Sequence, residues 1–187
     1  CELHQSLKSL CLDANIHVSF FEMPKGEPTF ALLEIAKKLF QKNNCDGVVA
    51  IGGGSAIDLA KAVAAVSKNE LQTFQSLAEI PKIDRYPLIA VPTTAGTGSE
   101  ATKVSVLTDS RVQVKYNPGH VDLIPDVAIL DPVLTLNVPK HVTAFTGIDA
   151  LTHAIEAYVS TKANDVTNFY ALQAIQMISQ SVVDAYQ

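Results

Sequence analysis

No cluster of lysines and arginines occurs anywhere in the sequence, and the formal net charge is −5. A nucleic-acid or anionic-membrane partner therefore has no electrostatic support. No apolar run approaches the roughly 20 residues of a membrane-spanning helix, and no basic-then-apolar leader opens the sequence. Cysteine is scarce. Cys1, Cys11 and Cys45 are odd in number and lack metal-site spacing, which fits free thiols in a reducing cytosol. A cytoplasmic, membrane-free protein is expected.

What is present is apolar bulk. Of the 187 residues, 48% are hydrophobic and 18% charged, enough for a well-buried core and one domain plus part of another. The sequence opens at Cys1 inside a helical pattern and stops at Gln187 inside another, so it is expected to be a piece of a longer protein.

The patterning alternates. Residues 2–12 read as a helix and 16–21 as a strand. After the turn residues Pro24, Gly26 and Pro28, a broad apolar face (Leu32, Leu33, Ile35, Ala36, Leu39, Phe40) predicts a helix over 29–42. Short apolar runs at 48–51, 88–91 and 127–130 read as buried strands; that at 48–51 is typical of a strand covered on both faces of a parallel sheet. A helix over 55–67 follows the first run. Residues 104–107 and 111–115 can pair across a turn at 108–110. From Pro139 onward the period is helical. The pattern predicts an α/β fold with a mostly parallel sheet over 1–138, followed by a helical region over 139–187, with the boundary between Pro132 and Pro139.

Three segments carry chemistry. Gly52, Gly53, Gly54 and Ser55 lie between a strand and a helix, where glycines admit a phosphate to helix N-terminal amides. The spacing matches neither the G-x-G-x-x-G fingerprint nor a Walker loop. Ser55 can equally cap the helix, with Asp58 closing a capping box, and the two roles are compatible. Residues 92–100 (PTTAGTGSE) follow the next strand and offer the hydroxyls of Thr93, Thr94, Thr97 and Ser99 beside two glycines. Ligands of open α/β sheets gather at the carboxyl ends of strands, so two such loops on neighbouring strands argue for a dinucleotide. The third segment sets Asp149 and His153 four residues apart on one helix face, a pair suited to zinc or ferrous iron but also common as a surface hydrogen bond. No other histidine has compelling spacing to His153, so further metal ligands are expected outside these residues.

Residues 52–61 (GGGSAIDLAK), 92–100 (PTTAGTGSE), 125–132 (PDVAILDP) and 146–158 (TGIDALTHAIEAY) closely resemble the iron-containing, or group III, alcohol dehydrogenases. The resemblance runs in order over 27–187. It implies a Rossmann-like domain whose first strand is missing here, followed by the start of an all-helical metal-binding domain, the architecture shared with dehydroquinate synthases. It implies reversible oxidation of an alcohol to an aldehyde or ketone with NAD or NADP and a divalent metal, Fe2+ ahead of Zn2+, in a homo-oligomer that is at least a dimer. Carried over, Gly53, Gly54, Ser55 and Asp58 would bind the cofactor, the backbone of Gly53, Gly54 and Ser55 holding its pyrophosphate. Thr93, Thr94 and Thr97 would line the cofactor path, Lys115 and Leu134 would touch the ribose region, and Asp149 and His153 would be two of four metal ligands. Lys103-Val104 departs from the proline and larger side chain of many members, which affects the expected pocket shape.

The implied mechanism is Lewis-acid polarisation of the substrate oxygen while hydride moves to or from the nicotinamide. Glycerol dehydrogenases and maleylacetate reductases share the implied architecture, and a catalytically inactive nucleotide-binding remnant is a further alternative.

Overall fold

The computed structural model describes residues 2–68 and 74–187, without the side chains of residues 2–4. It is an α/β fold with a parallel sheet and a helical C-terminal part. Helix α1 (Glu2–Asp13) ends in an extended segment, and α2 (Phe30–Lys42) follows. Thr29 starts α2 by accepting the Leu32 amide on its hydroxyl at 3.2 Å. Strand β1 (Val48–Gly52) leads through the glycines into α3 (Gly54–Lys68). Beyond lie β2 (Leu88–Pro92), the pair β3 (Leu107–Asp109) and β4 (Val114–Tyr116), and β5 (Val127–Ala128). The chain ends in a helical hairpin, α4 (Lys140–Val159) and α5 (Asp165–Tyr186). Asn164 caps α5 with a reciprocal capping box to Thr167.

The main sheet is parallel, in the order β1-β2-β5, with Gly52 beside Pro92 at its carboxyl end. Helix α3 packs on one face. Ala50 and Ala90 of the strands meet Ile57, Ala60 and Ala64 of the helix, and the four alanines allow close approach. The opposite side of α3 joins Leu33, Phe40, Leu77 and Leu107 in a second cluster. At the other end of the sheet, Arg85 and Asp126 fix β5 to β2. Arg85 Nη1 donates to Asp126 Oδ2 at 2.7 Å, Nη2 donates to the Ile124 carbonyl at 2.7 Å, and the same Asp126 oxygen accepts the Leu88 amide at 2.7 Å.

Four expectations are corrected. Residues 16–21 form no strand; the extended backbone makes its bridge later, at Thr29 to Thr108, where the Thr108 amide donates to the Pro28 carbonyl at 2.8 Å. Apolar alternation makes a strand only where a neighbour offers a ladder, and Phe21 and Met23 instead pack against the core. The turn expected at 108–110 lies downstream, because Asp109 Oδ1 accepts the Arg111 amide at 3.0 Å and delays the reversal to residues 110–113. The β1 strand is not covered on both faces: Val49 is 60% exposed, and both residues of β5 are exposed. Strand β5 itself is two residues long, although the Ile129 amide still reaches the Ala90 carbonyl at 2.8 Å. Cys11 and Cys45 are free thiols, while Cys1 lies outside the described residues. Among the described residues no helix is long and apolar enough to cross a membrane.

Candidate active site

The two loops meet because their strands are neighbours in register. The Thr93 amide donates to the Gly52 carbonyl at 2.9 Å, extending the β1–β2 ladder past the sheet. Beyond that bond the loops lie so close that side chains are excluded. A Cβ on Gly53 would sit 3.2 Å from Thr94 Oγ1, and one on Gly54 would sit 2.7 Å from Thr97 Oγ1 and 2.9 Å from its methyl. Gly54 therefore cannot carry a side chain without moving Thr97. Glycine here serves close approach, and the paired loops present backbone amides and three threonines at the carboxyl end of the sheet.

Helix α3 opens at this point. The Gly53 carbonyl accepts the Ala56 and Ile57 amides at 3.0 and 3.2 Å, so the helix begins one residue earlier than expected and Ser55 lies inside its first turn. The capping box between Ser55 and Asp58 is not formed. The Asp58 carboxylate instead accepts the Ser99 hydroxyl in a short bond and the Val106 amide at 3.2 Å, while Ser105 Oγ donates to the Asp58 carbonyl at 2.7 Å. Burial pushes the Asp58 carboxyl up from its ordinary range, against the opposing pull of Ser99 and Lys61. Asp58 thus ties the far end of the threonine loop to α3 from behind.

Lys61, one turn on, is fully buried. Its ammonium donates to the Thr102 carbonyl at 2.8 Å, the Val104 carbonyl at 2.8 Å and Thr102 Oγ1 at 3.2 Å. Desolvation lowers its pKa to about 8, offset in part by Asp58 and Glu100. Sequence reasoning gave Lys61 no role. The available signal was a lone cation in the apolar stretch 57–66, where a helix buried nearly all round must supply it with acceptors.

The third segment is brought to the same place. A Cβ on Gly96, in the threonine loop, would lie 2.2 Å from the Thr146 carbonyl oxygen of α4. Three and seven residues further along that helix stand Asp149 and His153, with Asp149 Oδ1 and His153 Nε2 3.8 Å apart. Both side chains are about half exposed, at 46% and 55%. A carboxylate and an imidazole on successive turns suit one divalent ion, and these two fit as part of a ligand set. Among the described residues no group of three or more candidate metal ligands occurs. Lys115 and Leu134 are not drawn into the loops in the same way. Lys115 pairs with Glu27 on the β3–β4 hairpin, and Leu134 lies half-buried in the short turn Pro132–Thr135 after β5. A cleft of about 600 Å3 runs from Gly52, Gly53 and Ser55 along β1 to Phe21 and Met23; the threonines and Asp149 do not line it.

Family models match both parts of the chain. Residues 2–132 match the iron-containing alcohol dehydrogenase model, and residues 143–187 match the C-terminal model of the Fe-containing alcohol dehydrogenase family. The chain belongs to the iron-containing alcohol dehydrogenase family. It is 47% identical over 171 residues to the "Probable alcohol dehydrogenase EutG" of Escherichia coli strain K12, covering 91% of this chain and 43% of that protein. A solved 1,3-propanediol oxidoreductase is similar with a TM-score of 0.90 and 35% identity, covering 98% of this chain and 48% of that one. A sulfoacetaldehyde reductase from Bifidobacterium kashiwanohense, solved in complex with NAD+, is similar with a TM-score of 0.85 and 33% identity, over 98% of this chain and 50% of that one. The chain thus spans about half the length of these family members.

Proposed function

We propose that this chain forms the nucleotide-binding part and the first metal-ligand helix of an NAD(P)-dependent alcohol dehydrogenase or aldehyde reductase. The reading divides it at 138/139, with the sheet and its loops for the dinucleotide and the helical hairpin for the metal. The observation that carries it is convergence: the glycine loop, the threonine loop and the α4 helix meet through the Gly54–Thr97 and Gly96–Thr146 approaches. Family membership supports the reaction class, and the NAD+ bound to the similar sulfoacetaldehyde reductase supports a nicotinamide cofactor.

In this reading the backbone of Gly53 and Gly54, with the first amides of α3, holds the pyrophosphate, because helix N-terminal N–H groups lack intrahelical acceptors. Thr93, Thr94 and Thr97 would line the path to the nicotinamide, and Lys115 and Leu134, outside the two loops, would be left to contact the ribose. Ser55 contributes through its backbone in the first turn, and Asp58 contributes by fixing the loop rather than by touching cofactor. Asp149 and His153 supply two protein ligands to a divalent ion, Fe2+ ahead of Zn2+. When bound, that ion supplies Lewis acidity at the substrate oxygen, and the nicotinamide supplies or accepts the hydride. The two residues would hold that ion and so fix where its acidity acts. The missing side chain of Gly96 lets the threonine loop approach α4 beside them. The protein is read as cytoplasmic and at least dimeric, with a small alcohol or aldehyde as substrate.

The test is a panel of short aldehydes and alcohols offered to the intact enzyme with NADH, NADPH or their oxidised forms, followed by nicotinamide absorbance. Turnover with at least one aldehyde–alcohol pair is expected. Nicotinamide binding with no turnover across the panel and every metal supplied would sink the reading in favour of an inactive nucleotide-binding remnant.

A further inference from the structure

Two glycines of the threonine loop differ in what they are for. Gly98 has φ +64° and open space around its missing side chain, so it serves backbone conformation. Gly96 does not adopt positive φ, and it has no space at all. A Cβ there would lie 2.2 Å from the Thr146 carbonyl oxygen, 2.6 Å from Thr146 Cβ and 2.7 Å from its carbonyl carbon. Two of those three atoms are backbone, so no rotamer change can relieve the contact.

Thr146 cannot readily retreat. Its hydroxyl donates back to the Val142 carbonyl at 3.0 Å, keeping the side chain folded on α4. The next residue, Gly147, is pressed from α5, where a Cβ would meet Val182 Cγ2 at 2.6 Å. Residues 146 and 147 are thus held between the loop and the second helix of the hairpin. The loop is equally held on its other side, by the Thr93–Gly52 bond and the close approaches of Thr94 and Thr97 to Gly53 and Gly54. Thr146, Asp149 and His153 follow the i, i+3, i+7 spacing of one helix face. Asp149 lies only about 4.5 Å along the axis from the contact.

We infer that Gly96 is a positioning residue: its contact with the Thr146 carbonyl sets the separation between the nucleotide loops and the Asp149/His153 metal ligands. The inference rests on the proposed function, since it assigns a geometric role within that site. Any side chain at position 96 drives α4 and the loop apart and lengthens the path for hydride, while each half-site remains intact.

The variant is Gly96→Ala in the intact enzyme, compared with wild type and with Gly119→Ala, whose Cβ would meet only Val104 Cγ2 at an ordinary 3.6 Å. For Gly96→Ala, kcat is expected to fall about 100-fold, the loss typical of a misplacement of about 1 Å. The NAD(H) dissociation constant and the metal content should stay at wild-type values, and the deuterium isotope effect on kcat with labelled cofactor should rise as hydride transfer becomes limiting. Unchanged turnover overturns the inference. So does a turnover loss matched by an equal loss of nucleotide affinity, which would make Gly96 a loop residue only. Failure of the wild type to turn over strikes instead at the proposed function. Should Gly96→Ala not fold, hydrogen exchange on the metal-free wild type decides: added NAD(H) should slow exchange at residues 146–150 as well as in the two loops. Protection confined to the loops overturns the inference.

Discussion

Replacing Lys61 by methionine removes one buried ammonium and little volume, so it isolates the electrostatic brace behind the threonine loop. The Thr102 and Val104 carbonyls lose their donor, at about 1–3 kcal/mol each, and Asp58 loses its neighbouring cation. Opposing this, the variant escapes the cost of burying a charge. The depression of the lysine pKa from 10.5 to about 8 puts that cost at about 3 kcal/mol near neutrality. At mid-range the lost bonds slightly exceed it, and a net destabilisation of about 1 kcal/mol is expected at neutral pH. The pH dependence is the sharper signature. Because the folded pKa lies below the unfolded one, between pH 8 and 10.5 the unfolded chain keeps a proton that the folded chain has released. Wild-type stability therefore gains a contribution that rises with pH across that window. The variant lacks it, so its deficit should widen toward pH 10.5. Urea unfolding by far-UV circular dichroism, at neutral pH and near that upper limit, measures both. Taking the difference between the two proteins removes the Cys45 thiol, whose pKa burial raises and whose contribution has the opposite sign. Equal midpoints at both pH values, or a deficit that closes as pH rises, would refute the reasoning.

Gly54→Ala should weaken NAD(H) binding about tenfold, or about 1.4 kcal/mol, because the new methyl meets Thr97; unchanged affinity by calorimetry would separate the two loops functionally. Asp149→Ala and His153→Ala should each lose bound metal and metal-dependent turnover while keeping nucleotide affinity. Metal stoichiometry by mass spectrometry at wild-type level in both variants would remove these residues from the site. Asp126→Ala should destabilise the sheet by about 1–2 kcal/mol at neutral pH, through loss of the Arg85 and Leu88 bonds. The Asp126 carboxyl is held below its usual range chiefly by Arg85, so its contribution is present above the ordinary carboxylate pKa and lost as pH falls through the lowered one. A thermal-melting gap that persists in strong acid would contradict that origin.

The order of elements was legible because period and punctuation agree along most of the chain. The apolar run at 48–51, the triple glycine and the helical stretch after it could scarcely be anything but strand, loop and helix, and the structure has them so. What local pattern could not supply was partnership. Residues 16–21 alternate like a strand but find no ladder, and Asp109 moves the β3–β4 turn by a side-chain bond that propensity does not register. Asp58 illustrates the same limit. Its spacing from Ser55 suggested a cap, yet its carboxylate is engaged by Ser99 and Val106, more than 40 positions away in the chain. Lys61 was visible as an anomaly, a cation in an apolar helix, without its acceptors being identifiable. The role of Gly96 was hidden altogether, since a glycine kept for space and one kept for conformation are the same letter in a sequence.

Asp149 and His153 are proposed to hold a metal on which the reaction depends. The most direct measurement strips the intact enzyme of metal, resupplies Fe2+ or Zn2+ anaerobically, and follows NAD(P)H oxidation by short aldehydes in wild type and His153→Ala alongside metal content. Turnover should return in proportion to bound metal in the wild type and stay absent in the variant. Full turnover without metal, or equal metal-dependent turnover in His153→Ala, would contradict the account.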